Sequence, residues 1–512
     1  MKFFNKIDNP LFLKFCSSSV LFLNSLFAIL KKHASLIAIG IILWLAGKEV
    51  LHDKRWKHPK LIIQSDVIGY YSYLPAAFIY KDLSLEFADP KGSPKYKIAF
   101  DITPVGKRMI RYTLGQSLLY SPFFFMAHLT ALVSDYDPSG YTEPYKFFLA
   151  FSSIFYVILG FFALRRILLR YFPETPVALT LIFIALGTNL YHYYTVESPM
   201  THAYSFALIS TFLLQTDNWH KNPNWRNSMF TGLLTGLIAL VRPFNILVVI
   251  IFIFYQVNSL NALVRKATFF LKLSHKVLFI ILMVLIVWIP QFLYWKFTTD
   301  HYLFYTYGIS GGNFFFRHPH ILEGFFGYRK GWFLYNPIMI FAMLGIIWMR
   351  KYFQDFFYAF IVFFIIFIYI LFSWWSWWYG GGLSIRTLVD IYGLIAVPFA
   401  AFVTWLWTRR SVALKVTIGI VMVFFLCQGK FFNWQYKKGL IHWDSMTKEA
   451  YWFIMWKKKM DPEFYDYLCK MDPQLARKGI YICCHKEGKY KNMEEQPCIK
   501  FQDFSEEYDN DK

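Results

Sequence analysis

Apolar residues arrive in blocks along this chain. Runs over 34–51, 146–164, 177–194, 277–295 and 357–375 are nearly unbroken, and each approaches the roughly 20 residues a helix needs to cross a bilayer core. A longer run, from 225 to 260, is interrupted at "VRPFN" by Arg242 and Pro243. Read as one tilted helix, it leaves an arginine in mid-membrane, at about 2.5–3.5 kcal/mol on insertion scales. Read as two short helices meeting at a membrane face, it puts Arg242 at that face. The second reading is preferred, because Arg226 precedes the run and Arg265 and Lys266 follow it. The pattern predicts an all-α polytopic membrane protein of about eleven spans. Residues 11–30, "LFLKFCSSSVLFLNSLFAIL", have no small-residue cleavage site before Lys31 and Lys32, and read as an interfacial helix rather than a signal peptide.

The polar stretches between the runs set the orientation, since lysine and arginine are retained on the cytoplasmic side of short loops. The choice turns on 117–134, "SLLYSPFFFMAHLTALVS". If it dips into the outer face and returns, the short inner segments hold nineteen Lys and Arg and the short outer loops hold six. If it crosses, every later loop changes sides and the bias inverts. The dipping reading is adopted, with the N-terminus inside and the C-terminus outside. It divides the chain into a cytoplasmic or interfacial segment 1–33, a transmembrane domain 34–428 with a long first external loop over 52–145, and a small external segment 429–512.

Composition agrees with the pattern: 56% of the 512 residues are hydrophobic, 21% aromatic and 17% charged, which is no soluble profile. A net charge of +21 would suggest nucleic acid. The basic residues, however, sit at the ends of apolar runs rather than in an aromatic-interleaved stripe, so no nucleic-acid partner is expected. Cys16, Cys427, Cys469, Cys483, Cys484 and Cys498 form no C-x-x-C and have no paired histidines, which argues against a thiolate metal site. The four in the external tail are placed to pair, although vicinal Cys483 and Cys484 argue against a simple scheme. No internal repeat supports an inverted-repeat transporter.

Under this topology the unusual polar clusters gather on the outer side. In "QSDVIGYYSYLPA", Ser65 is placed to cap a helix starting at Asp66, on which Asp66, Tyr70 and Tyr73 share a face until Pro75 interrupts. The acid is equally explained as a first-turn carboxylate favoured by the helix dipole. In "YTVESPMTHAYSF", Ser198 and Pro199 open a helix, with Glu197 just before it and His202 in its first turn; a cap residue and a flanking histidine would read the same way. The glycine-rich loops "YGISGGNFFFRHPH", "GYRKGWFLYNP" and "WWSWWYGGGLSIRTLVD" carry Arg329, Lys330 and Arg386, which suits a phosphate cradle of cations and backbone N–H groups. Arg242 is a further cation, or else a snorkelling arginine at a helix end. Trp374, Trp375, Trp377 and Trp378 are expected in an interfacial aromatic belt.

The order of these features resembles the GT-C superfamily of integral membrane glycosyltransferases, the group containing protein mannosyltransferases and bacterial aminoarabinose transferases. The resemblance is carried by the Asp66 motif, "GQSLLYSPFF", "RRILLR", "ALGTNLYHYYTVESPMTHAYSF", "GLLTGLIALVRPFN", "KGWFLYNP" and "WWYGGGLSIRTLVD", and covers roughly 34–400. It implies a GT-C-like bundle with juxtamembrane helices in the first loop. It also implies transfer of a sugar from a polyprenyl-phosphate donor to a lipid, glycan or protein acceptor outside the cytoplasm, with Asp66 as catalytic base. Many relatives carry an acidic pair where this chain has Ser65 and Val67 around Asp66, so Glu197 becomes the candidate second acid. Tyr70, His202, Arg242, Arg329, Lys330 and Arg386 are the expected substrate-binding residues. The resemblance fixes no cofactor; the one candidate is a divalent cation, with Glu197 and His202 either holding it or positioning the acceptor. The expected setting is a bacterial inner membrane with the active site facing outward. The rival functions are a transporter or flippase of lipid-linked saccharides, a polymerase or ligase of pyrophosphate-linked glycans, and a non-catalytic scaffold.

Overall fold

The structure, a computed structural model, describes residues 30–88, 98–481 and 483–484. The expected interfacial helix over 11–30 lies, apart from its last residue, outside the described residues, as do Cys16 and Cys498. The chain is a helical membrane protein. Among the described residues six helical segments are long and apolar enough to cross a bilayer: Ala34–Lys57, Glu143–Leu168, Ser274–Thr299, Gln354–Phe372, Arg386–Trp407 and Val412–Lys437. Further helices pack between them, among them the short Glu174–Gly187 and Trp225–Val241 and the longer, more polar Thr201–Lys221.

Position in the bundle follows from residue pattern. Tyr392–Trp407, "YGLIAVPFAAFVTWLW", has no charge and no polar face, and a helix apolar all round belongs in an interior. It is buried along nearly its whole length and packs on Glu174–Gly187, Thr201–Lys221 and Met339–Leu344. Ser274–Thr299 keeps Leu278, Leu282 and Leu293 half or more exposed, as expected of a lipid-facing helix. It touches the bundle through Trp225–Val241, where Gly232 and Gly236 let the two backbones approach. A Cβ at either glycine would strike Ile280, Met283, Val284 or Val287, the small-residue contact by which membrane helices pack without a hydrophobic drive between them.

Thr201–Lys221 marks the two ends of the molecule. At its start lies His202; about 22 Å along the axis, at a rise of about 1.5 Å per residue, lies fully buried Asp217. Asp217 accepts from Tyr255 (2.6 Å), Tyr171 (2.9 Å), Lys221 (2.9 Å) and Arg170. At the His202 end the first long loop covers the helix termini. Tyr73, Met109 and Ile110 pack there with Leu240, Tyr294 and Trp295, and Thr103 Oγ1 donates to the Thr298 carbonyl at 2.9 Å.

Two expectations fail locally. Ser65 precedes the Asp66–Phe78 helix but makes no capping bond, because its backbone is left-handed at φ 49°. Pro75 does not end that helix, which continues to Phe78. Helix 115–132 lies along the first half of Glu143–Leu168, with His128 Nδ1 2.5 Å from the Tyr145 hydroxyl and the Tyr156 hydroxyl 3.0 Å from the Leu119 carbonyl.

Candidate functional site

Three chain segments far apart in sequence meet at the His202 end: the helix beginning at Asp66, the turn and helix start over 196–202, and the short 3-10 helix Arg386–Ile391. That helix carries Arg386 and Asp390 four residues apart, and each organises half of the site.

The first half is Asp66 with Arg386. Arg386 Nη2 lies 2.9 Å from Asp66 Oδ2, and the Tyr112 hydroxyl donates to Asp66 Oδ1 at 2.9 Å. Tyr70, one turn after Asp66, stacks obliquely on Tyr112 with centroids 4.4 Å apart. Side chains of Asp66 and Arg386 stay 26% and 18% accessible, so the pair lines a cleft rather than an enclosed core. Burial works against the charge on Asp66, but Arg386 and the Tyr112 hydroxyl overcome it and hold the carboxyl below its ordinary value. Arg386 Nε, itself buried, has no hydrogen-bond partner.

The second half is a buried relay around Asp390. Its Oδ1 lies 2.7 Å from His202 Nδ1, and its Oδ2 takes Arg242 Nε at 3.1 Å and Asn245 Nδ2 at 2.9 Å. Arg242 Nη1 also reaches Thr201 Oγ1 at 3.3 Å. Arg242 stands at the break between the helix Trp225–Val241 and the turn Pro243–Val248, as the interrupted run predicts. Tyr70 lies within electrostatic reach of both Arg242 and Arg386.

Glu197 occupies a neighbouring corner. His192 Nε2 is 3.6 Å from its carboxylate, too long for a good hydrogen bond, and neither ring nitrogen of His192 has another partner. Burial opposes the charge on Glu197, while His192, Arg386 and Arg55 hold its carboxyl below the ordinary value. Glu197 and Asp66 are thus joined electrostatically through Arg386.

Lys330 and Arg329 are placed differently. Lys330 is buried, and its ammonium donates to the Trp443 carbonyl at 2.5 Å and to the Gly382 carbonyl. Burial pushes it down to about 7, with Asp444, Arg329, Arg386 and Glu197 all within electrostatic reach. Arg329 turns to the C-terminal segment, donating to the carbonyls of Asp444 (2.7 Å) and Cys469 (2.6 Å) and lying over the Trp378 ring. Two of the four tryptophans expected in an aromatic belt, Trp377 and Trp378, are buried, with Trp378 Nε1 donating to Asp444 Oδ1 at 2.8 Å; Trp374 and Trp375 are half-buried, Trp375 against Arg477. Cys469, in the same segment, is disulfide-bonded.

The structure therefore brings Asp66, Tyr70 and Arg386 together next to a buried group of His202, Arg242 and Asp390, sets Glu197 and Lys330 within electrostatic reach of Arg386 and turns Arg329 to the C-terminal segment. The sequence did not reveal Tyr112, Asp390 or Asn245. Asp390 stands four residues after Arg386 in the quoted "SIRTLVD" motif, and that spacing was the available signal. Among the described residues no group of three or more His, Cys, Asp or Glu has the spacing to hold a metal ion. The Arg242 guanidinium 3.3 Å from His202 Nδ1 further opposes a cation at that ring.

No protein-family model matches the sequence, and no curated protein matches it. Among solved structures, the chain is similar to the archaeal oligosaccharyltransferase AglB from Archaeoglobus fulgidus in complex with an inhibitory peptide and a dolichol-phosphate. The identity is 13% over 86% of this chain and 59% of that one, with a TM-score of 0.48. The apo form of the Archaeoglobus fulgidus oligosaccharyltransferase gives 12% identity over 85% and 59%, with a TM-score of 0.47. This chain thus spans about three-fifths of the length of those proteins, and likeness at this level carries no argument about its reaction or ligands.

Proposed function

We propose that the protein is an inverting glycosyltransferase of the GT-C kind. It moves a sugar from a polyprenyl-phosphate donor to a lipid, glycan or protein acceptor on the non-cytoplasmic face, in a bundle of about eleven spans. The observation that supports this most is the partly accessible Asp66–Arg386 pair, with a second guanidinium, Arg242, within electrostatic reach of Tyr70 beside it. An acid and two cations at the end of a lipid-exposed bundle suit a reaction in which a hydroxyl loses a proton while a phosphate leaves.

In this reading the acceptor oxygen attacks the anomeric carbon from the face opposite the phosphate. Asp66 takes the hydroxyl proton, the bond from carbon to phosphate oxygen breaks, and the electron pair leaves on the polyprenyl phosphate. Arg386, once the phosphate displaces Asp66 from its Nη2, and Arg242 bind the leaving phosphate. Competition for Arg386 ties binding to catalysis. A phosphate that takes Arg386 leaves Asp66 with Tyr112 alone, burial then dominates, and the carboxylate becomes a stronger base as the donor seats. Glu197 and Tyr70 border the acceptor side, His202 and Asp390 hold Arg242, and Lys330 anchors the glycine loop from behind.

The test is donor capture. Purified protein in lipid is incubated with a panel of radiolabelled polyprenyl-phosphate sugars and scored for retained donor and for label passed to acceptor. Retention of one sugar, lost on Arg386→Gln, is the expected result; retention of none, or retention that ignores Arg386, overturns the assignment.

A further inference from the structure

The helix Leu260–Lys272 belongs to none of the long apolar helices and lies far from the cleft. Only Leu273 separates it from Ser274–Thr299. The far end of that long helix meets residues 103–107, where Lys107 Nζ donates to the Phe297 carbonyl at 2.8 Å. Leu260–Lys272 therefore sits at the end of the molecule opposite Asp66.

Residues of a helix are about 100° apart around its axis, and this one has three distinct faces. Ala262, Lys266, Phe269 and Phe270 face the bundle. The Phe269 and Phe270 rings lie 5.8 and 6.1 Å from Trp219, with the Lys266 ammonium over both phenyl rings. A second face, Asn261, Arg265, Thr268 and Lys272, is polar and exposed. The third, Leu260, Leu263, Val264, Ala267 and Leu271, is apolar and equally exposed, with Leu260 83% and Leu271 74% accessible. A stripe of this kind is not stable in water. It runs directly into the lipid-facing surface of Ser274–Thr299, where Leu278 is 65% exposed. The cover that this continuity indicates is acyl chain.

We propose that Leu260–Lys272 lies in the headgroup layer of the membrane face opposite the cleft, with its apolar stripe in the acyl region and Arg265 and Lys272 on anionic lipid headgroups. One flank is fixed to the bundle, so the helix sets the depth at which Ser274–Thr299 enters the bilayer. The proposal is independent of the reaction assigned to the cleft.

The full-length protein, with p-benzoylphenylalanine in place of Val264, Leu271 or Thr268, is placed in nanodiscs of equal phosphatidylcholine and phosphatidylglycerol, irradiated and analysed by mass. Lipid adducts at 264 and 271 are expected to exceed those at 268 by about fivefold. The phosphatidylglycerol share of those adducts is expected to stand about threefold above bulk and to fall to bulk when Arg265→Gln and Lys272→Gln are combined. Adducts to a second copy of the chain or to another protein overturn the proposal, as do equal yields at all three sites. A bulk phosphatidylglycerol ratio with both cations intact overturns the anionic-lipid assignment.

Discussion

Asp66 carries the account, and its chemistry is set by two partners the sequence separates widely: Tyr112 and Arg386. Burial raises its pKa and the partners lower it, so the carboxylate stays charged until pH falls below its ordinary value of about 3.9. The stabilisation that the pair gives the fold is correspondingly complete above that pH and is lost only as pH drops through the depressed value. If the donor takes Arg386 away, the balance reverses. The acid limb of kcat, which reports the loaded protein, should then lie at higher pH than the limb of kcat/KM, which reports the free protein. Tyr112→Phe removes one hydrogen bond to the charged form without touching Arg386. It should move the kcat/KM limb upward by about one pH unit or less, with turnover at neutral pH reduced less than about tenfold. A pH–rate profile of the two proteins decides this, and limbs that coincide in wild type would remove the exchange of partners.

The glycine run before Arg386 is the element on which the cleft depends. Tyr379, Gly380, Gly382 and Ser384 all take positive φ, free of cost at the glycines but unfavourable at Tyr379 and Ser384, the kind of backbone that persists at functional turns. Gly382, at φ 147°, has no room for a side chain: a Cβ would stand 2.6 Å from the Tyr193 hydroxyl and 3.3 Å from Arg386 Cδ. Gly382→Ala should displace Arg386 and cost about 100-fold in turnover, while circular dichroism of the helices is unchanged; near-normal turnover would show that the loop does not position the guanidinium.

Much at this scale was legible in the chain. The apolar blocks at 34–51, 146–164, 277–295 and 357–375 and the break at Arg242 and Pro243 depend only on local pattern, and helices or breaks stand there. What was not legible depends on distant partners. Nothing near "GYRKG" says that Arg329 is taken up by Asp444 and Cys469, and nothing near "WWSWW" says that Trp378 bonds Asp444 and Trp375 meets Arg477. The unpaired capping position at Ser65 was hidden for the same reason, since the surrounding loop fixes its left-handed backbone.

Across the whole molecule, the C-terminal segment is tied to the cleft through buried cations. Lys330 joins the Gly382 carbonyl to the Trp443 carbonyl, so the segment over 440–446 holds the glycine loop from behind. Burial pushes Lys330 down to about 7 from an ordinary value near 10.5. Between those values the unfolded chain binds the proton and the folded one releases it, so stability rises with pH through this window, by at most about 1.4 kcal/mol per pH unit. Lys330→Met should flatten that rise; this is read as the difference in thermal unfolding between variant and wild type at pH 7 and pH 9. An unchanged difference would mean that the ammonium stays charged on its two carbonyls.

The same whole-molecule view places the acid at one end of a lipid-exposed bundle beside the Arg386 guanidinium, and the claim that this arrangement transfers sugar rests on Asp66 being the base. The direct measurement is a single turnover with the captured radiolabelled donor, comparing wild type with Asp66→Asn. Asp66→Asn should retain donor at wild-type level or better, because Arg386 is freed, yet pass less than about one-thousandth of the label to acceptor in the same time. Transfer by Asp66→Asn within about tenfold of wild type would contradict the account.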